Sequence, residues 1–180
     1  MEKYIWLLVV IFIFHDMEEV VGITSWIRRN YDRIIERFPS AAKVLAPYKE
    51  ITTAGMAMAV YEELILLIII CLLADLTMSP VLLGLWFGGL LSFTLHLFIH
   101  IAQALLIRSY IPALYTSILS IPPSIYLIVR SVPLIPMGAS SIIGIIIGLL
   151  GVVVNLKLAH MAGWRFQRFL QARESSQRLS

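Results

Sequence analysis

The sequence predicts an all-α membrane protein: a bundle of about five transmembrane helices, with an amphipathic interfacial helix after the first span. Three observations carry that prediction. The 180 residues are 59% hydrophobic and only 14% charged, and their mean hydropathy of +0.89 is too high for a soluble globule. The apolar residues gather into runs long enough to cross a hydrocarbon core of ~30 Å at ~1.5 Å per helical residue. Lys and Arg are confined to a few of the segments between those runs. The length suits a single domain, residues 1–180. Cys71 is the one cysteine, so an intrachain disulfide is excluded.

The first span is expected over residues 4–27. It lacks a convincing small-residue cleavage site and has acidic residues just after its apolar core, so it is expected to stay rather than be removed as a signal peptide. Residues 28–50 follow as a basic segment in which Tyr31, Ile34, Ile35 and Phe38 recur at helical spacing, the pattern of a helix lying on a membrane surface. The second span is expected over 51–76 and the third over 80–107, opened by Pro80. Tyr110-Ile111-Pro112 makes a turn, because proline interrupts helical hydrogen bonding. A fourth span over 113–129 contains Pro122-Pro123 as a kink, and a fifth covers 139–162. The tail, 164–180, is polar and basic.

The cations set the expected orientation. Arg28, Arg29, Arg33, Arg37, Lys43 and Lys49 fall in the first loop, Arg108 in the third, and Arg165, Arg168, Arg173 and Arg178 in the tail. Five spans with the N-terminus outside leave all eleven on the cytoplasmic side of the plasma membrane, as the positive-inside rule requires.

Against this background the polar residues inside the spans are conspicuous. His15-Asp16-Met17-Glu18-Glu19 interrupts the first apolar run. Each charge at that depth costs about 3 kcal/mol or more without a partner. His15 and Glu19 are about 40° apart on a helix and Glu18 lies about 60° to the other side, so the three share a broad face. Glu62 and Glu63 sit near the middle of the second span. His96 and His100 are spaced i, i+4 on the third, the spacing by which one helix offers two imidazoles to one metal. Ser92 and Gln103 extend that stripe. On the fifth span Ser141, Gly144, Gly148, Gly151 and Asn155 lie along one face. Gly144-x-x-x-Gly148 permits close helix packing, within the chain or in a homodimer, and its face would bring Asn155 to the site. The expected orientation puts this chemistry in the cytoplasmic half of the bilayer. Asp16 falls at the edge of the site face, and His160, about 140° round from Asn155, falls outside it.

His15-x-x-Glu18-Glu19, with a further histidine at 96 or 100 and Tyr110-Ile111-Pro112-Ala113, resembles the HXXEE-domain family of small polytopic membrane proteins. Ala113 stands where that family's Tyr-x-Pro-Gly motif has glycine. The resemblance implies an architecture and a set of residues but no reaction, since the family's function is unknown.

The residues themselves point first to a membrane-embedded metalloenzyme. The candidate ligands are His15, Glu18, Glu19, Glu62, His96 and His100, with Glu18, Glu19 and Glu63 as candidate catalytic carboxylates and Ser92, Gln103, Asn155 and Asp16 around them. Imidazole with carboxylate suits zinc, or iron or manganese, and a divalent cation offsets two buried carboxylates. A site at that depth would act on a lipid or another amphiphile, by hydrolase-type or di-metal oxidase-type chemistry. The alternative is a proton- or cation-coupled transporter using the same residues as a relay, although no inverted repeat is visible. Two histidines on different spans, such as His15 and His96, also raise haem ligation, which the surrounding carboxylates disfavour. The basic tail lacks interleaved aromatics and fits anionic lipid rather than nucleic acid.

Overall fold

In the computed structural model, which describes residues 1–177, the chain is helical throughout and no strand occurs among the described residues. The long helices are α1 (Glu2–Arg37), α3 (Thr53–Thr77), α4 (Pro80–Ile107), α5 (Leu114–Ser131) and α6 (Ala139–Gln177), with a short α2 (Ala42–Glu50) between α1 and α3. Four segments are long and apolar enough to cross a membrane: α3, α4, α5 with the 3-10 turn that follows it, and α6. α1 is long enough as well, but Asp16, Glu18 and Glu19 interrupt its apolar stretch. This is the composition of a membrane protein.

The basic segment expected as one interfacial helix is divided. Residues 28–37 continue α1 without a break, since nothing before Pro39 stops a helix there. Phe38, just ahead of that proline, leaves the helical region at φ −133°, and α2 starts afresh three residues after Pro39. α2 is tied back by Arg28, whose guanidinium donates to the carbonyls of Lys49 (3.3 Å) and Ile51 (3.1 Å). Thr52 caps α3 by accepting from the Gly55 amide at 3.1 Å. Gln167 of α6 clasps the same junction, accepting from Thr52 N at 2.7 Å and donating to Glu50 O at 2.9 Å.

Packing closes the long helices into a ring in the order α1, α3, α6, α4, α5 and back to α1. The tightest seam is α4 on α6. A Cβ added to Gly144 would strike the Val81 carbonyl, and one on Gly148 the Leu85 carbonyl. In return, Gly84 faces the Ser141 carbonyl and Gly88 that of Ile145. Four glycines spaced by fours therefore bring two backbones into contact. The Gly144/Gly148 face, which suited either internal packing or a homodimer, is filled by α4 of the same chain. Gly151, on the expected continuation of that face, meets nothing within 4 Å.

The turn between α4 and α5 sits against α1. Pro112 abuts Gly22, where an added Cβ would come within 2.8 Å of the proline ring. Trp26 Nε1 donates to the Tyr110 carbonyl at 2.8 Å. Ala113 is left-handed (φ 71°) and fully buried, so the position that favours glycine in the motif does carry a positive φ here. Pro122 and Pro123 lie inside α5, which continues through them to Ser131.

Candidate metal centre

α1 and α4 face each other across the ring, and their histidines meet between them. His15, Glu19, His96 and His100 each offer a ligand atom, and these atoms all lie within 4.8 Å of one another, so the group could hold a metal ion. The His96 and His100 Nε2 atoms are 2.8 Å apart, and Glu19 Oε2 is 3.9 Å from the first and 3.8 Å from the second. A tetrahedral site with bonds of ~2.0–2.1 Å has ligand–ligand edges of about 3.3 Å. These three edges straddle that value, so small ring and carboxylate rotations bring them to it. The His15 ring lies edge-on to both others, with centroids 5.4 Å from His96 and 5.2 Å from His100.

His15 is completely buried and its Nε2 has no hydrogen-bond partner. Its other nitrogen explains why. Thr116 has one hydroxyl proton, and its shortest acceptor is Glu18 Oε2 at 2.7 Å. The Thr116 oxygen is then free to accept from His15 Nδ1–H at 3.3 Å, which leaves the lone pair on Nε2. A ligating histidine is ordinarily oriented in this way, through its second nitrogen. A buried imidazole lone pair without a donor is costly in an apolar interior, and a cation removes that cost.

Glu18 is turned away from the cluster. Its Oε1 accepts from Tyr110 OH at 2.7 Å, and its Oε2 accepts from the Thr116 amide at 2.8 Å as well as from the hydroxyl. It thus anchors the first turn of α5, where free amides and the helix dipole favour an anion. Tyr110, outside the spans, has its phenol pushed up to about 12 by burial and then by the Glu18 carboxylate, so it remains a donor at neutral pH. The Tyr-Ile-Pro turn and the His-x-x-Glu-Glu motif are therefore two halves of one contact.

Other expected residues have different neighbours. Glu62 Oε2 accepts from Asn155 Nδ2 at 3.2 Å, tying α3 to α6. Ser92 donates to the Leu149 carbonyl at 3.4 Å, and Gln103 is exposed. Asp16 is buried with Oδ1 4.0 Å from His15 Nε2 and Oδ2 without a partner. Glu63 lies close enough to Glu19 and Glu62 for their charges to interact.

Thr116 and Tyr48 were not anticipated. Tyr48, on α2, is held above the usual phenol range by burial and then by the charges of Glu19 and Glu63. Its hydroxyl lies 3.1 Å from His160 Nε2, and His160 Nδ1 donates to the Leu156 carbonyl at 2.6 Å. His160 thus belongs to a separate contact between α2 and α6. A threonine in an apolar helix, or a tyrosine in a basic segment, carries no signal by itself; for Thr116 the sequence cue is its place just after the Tyr-Ile-Pro turn.

Access is one-sided. The side chains of His15 and His100 are 0% and 7% exposed, whereas Glu19 keeps 17% and His96 33%. Leu95 and Ile99, flanking His96 on α4, are exposed apolar residues of a membrane-type helix.

A family model described as "Protein of unknown function with HXXEE motif" matches residues 6–127, which include all four residues of the cluster together with Glu18, Tyr110 and Thr116. No curated protein matches the chain, and neither does any solved structure.

Proposed function

The chain belongs to the HXXEE family, and we propose that it is a membrane-embedded, metal-dependent enzyme whose centre is built from His15, Glu19, His96 and His100. The observation that carries this reading is the convergence of three imidazoles and one carboxylate from two helices, with the fully buried His15 Nε2 lacking a hydrogen-bond partner. Three nitrogens and one oxygen favour zinc, with iron or manganese as the other fits. A divalent ion held there supplies Lewis acidity toward an ester or phosphate oxygen.

The chain's own residues divide the remaining work. Thr116 and Glu18 hold the His15 ring in its ligating tautomer. Glu63, within electrostatic reach of Glu19 and outside the ligand set, is the carboxylate left to exchange a proton with a reacting group. The partly exposed His96, between apolar residues that face lipid, gives the centre its open side. An amphiphile or lipid is the substrate class that such an opening admits. The orientation with the N-terminus outside places that opening in the cytoplasmic half of the bilayer.

The test is elemental analysis of protein purified without chelator. About one metal per chain is expected, falling below a tenth of that in His96→Ala and Glu19→Gln while the chains still insert and stay monodisperse. Metal-free wild-type protein, or variants that keep full occupancy, would overturn the proposal. The Tyr48–His160 contact, with Tyr48 in electrostatic reach of Glu63, favours a second reading, a proton relay for a transporter. That reading predicts proton uptake in proteoliposomes that survives Glu19→Gln.

A further inference from the structure

Beyond the His/Glu centre the chain carries a second concave site. Arg33, Ile34, Arg37, Phe38, Ile107 and Arg108 line a cavity of 220 Å³ where the end of α1 meets the end of α4. On α4, Arg108 lies eight residues past His100, about 12 Å of helix rise, so this is not an extension of the metal centre. We infer that the pocket binds a phosphate-bearing anion, with the headgroup of an anionic membrane lipid as its source.

Three features lead there. First, three guanidinium groups border one small cavity, and among the described residues none of them lies within 4.0 Å of a carboxylate. Among the described residues Arg33 donates to Asn30 Oδ1, at 2.7 Å, and Arg37 makes a long 3.4 Å bond to the Ile107 carbonyl and lies 5.3 Å over the Phe38 ring. Planar guanidinium forks match phosphate oxygens in pairs. Second, Arg108 sits in the left-handed region (φ 55°), as the residue that ends α4. Glycine is usual at such helix ends, and an arginine there carries backbone strain. The sequence nevertheless places a third cation at the cavity. Third, the floor is apolar, with Ile34 buried and Phe38 and Ile107 half-buried. A soluble phosphate has no use for that floor, whereas the glycerol and first methylenes of a lipid do. The level is right as well. Trp26 is placed as an interfacial anchor, and Arg33 follows it by seven residues, about 10 Å along α1, which is headgroup depth.

The experiment is native mass spectrometry of the full chain released from mixed micelles with dioleoyl phosphatidic acid or dioleoyl phosphatidylcholine. A parallel titration uses inorganic phosphate. Wild-type protein should retain one phosphatidic acid per chain, at least ten-fold more tightly than phosphatidylcholine or free phosphate. Arg33→Gln, Arg37→Gln and Arg108→Gly should each weaken retention about five-fold, the worth of one basic residue at an anionic surface. Arg108→Gly suits the backbone it enters, so its loss of binding cannot be laid to misfolding. Arg173→Gln, far along α6, should change nothing. Equal loss with Arg173→Gln would replace the pocket by diffuse attraction. Equal retention of phosphatidylcholine, or equal affinity for inorganic phosphate, would equally overturn the assignment.

Discussion

Gly148→Ala and Gly151→Ala make the same chemical change three residues apart on one helix, and the structure predicts opposite outcomes. In an exposed helix interior, alanine is favoured over glycine by about 1 kcal/mol. Gly151 has nothing within 4 Å of its added carbon, so Gly151→Ala should collect most of that gain. Gly148 is different. Its added carbon would strike the Leu85 carbonyl and lie 2.9 Å from Gly89 N and 3.0 Å from Gly88 Cα, all backbone of α4. No rotamer relieves contacts with backbone, so α6 must retreat along a seam held by four glycines. A gap of even 0.5–1 Å forfeits a quarter to a half of the dispersion attraction across it, and overpacking of this kind costs about 1–3 kcal/mol. After the propensity gain, Gly148→Ala should be net destabilising, by up to about 2 kcal/mol. For a chain of this size that is a melting point lower by up to roughly 8 °C, while Gly151→Ala should raise it by up to about 4 °C. Thermal unfolding of purified protein in one detergent, followed by tryptophan fluorescence, reads both. Shifts of the same sign would refute the packing of α4 on α6 described above.

Other consequences can be checked alongside. Thr116→Val removes the acceptor for His15 Nδ1–H while keeping shape, and bound metal should weaken 10–100-fold, the usual cost of losing a partner that orients a ligand; unchanged affinity by chelator competition would remove Thr116 from the site. Tyr110→Phe should loosen the α4–α5 turn, read as faster hydrogen exchange at 110–116, and leave the metal content intact. Because the Tyr110 phenol is raised in the folded state, its contribution should be full below pH ~10 and fade as pH rises toward 12; a loss below pH 9 would contradict that sign. Ala113→Gly relieves a positive φ worth about 1–2 kcal/mol but empties a buried methyl worth about 0.8 kcal/mol, so its melting point should move little, and a drop beyond ~5 °C would mean the strain argument is misplaced. Cysteines at Ser40 and Ser176 should resist an impermeant thiol reagent in intact cells; labelling of both from outside would reverse the proposed orientation.

Much of this was legible in the sequence because membrane helices leave the backbone few options. The all-helical class, the order of the long helices, the i, i+4 histidines of α4 and the Gly144/Gly148 pair of α6 all follow from hydropathy and periodicity; of the five expected spans, four are apolar enough by length and composition. The limits follow from what periodicity measures. It fixes the angle between side chains on one helix but not which neighbour each angle meets. Glu18 and His15 differ by about 60°, which on α1 is enough to turn Glu18 wholly toward the start of α5 while His15 also reaches α4. Glu62 and Glu63 are adjacent in the chain, yet the first is held by Asn155 of α6 and the second is within electrostatic reach of Glu19. The division of residues 28–50 was hidden for another reason. Amphipathic periodicity runs on across Phe38-Pro39, whereas the proline itself ends α1 at Arg37 before α2 starts again.

The adjacency of the two glutamates in the motif acquires a physical reason from this geometry. A helix touching two neighbours on adjoining faces needs consecutive residues to address them, since residues one apart differ by about 100° in azimuth. Glu19 looks toward the α4 histidines, and Glu18 looks toward the Tyr110 turn and the first amides of α5. His15, four residues before Glu19 and three before Glu18, belongs to both faces: one ring nitrogen meets Thr116 of α5 and the other is left for the cluster. The spacing His-x-x-Glu-Glu thus joins α4 and α5 through α1 within a single turn. Either carboxylate alone would leave one side of that joint unmade, with Thr116 and the α5 amides lacking their acceptor or the α4 imidazoles lacking their anion.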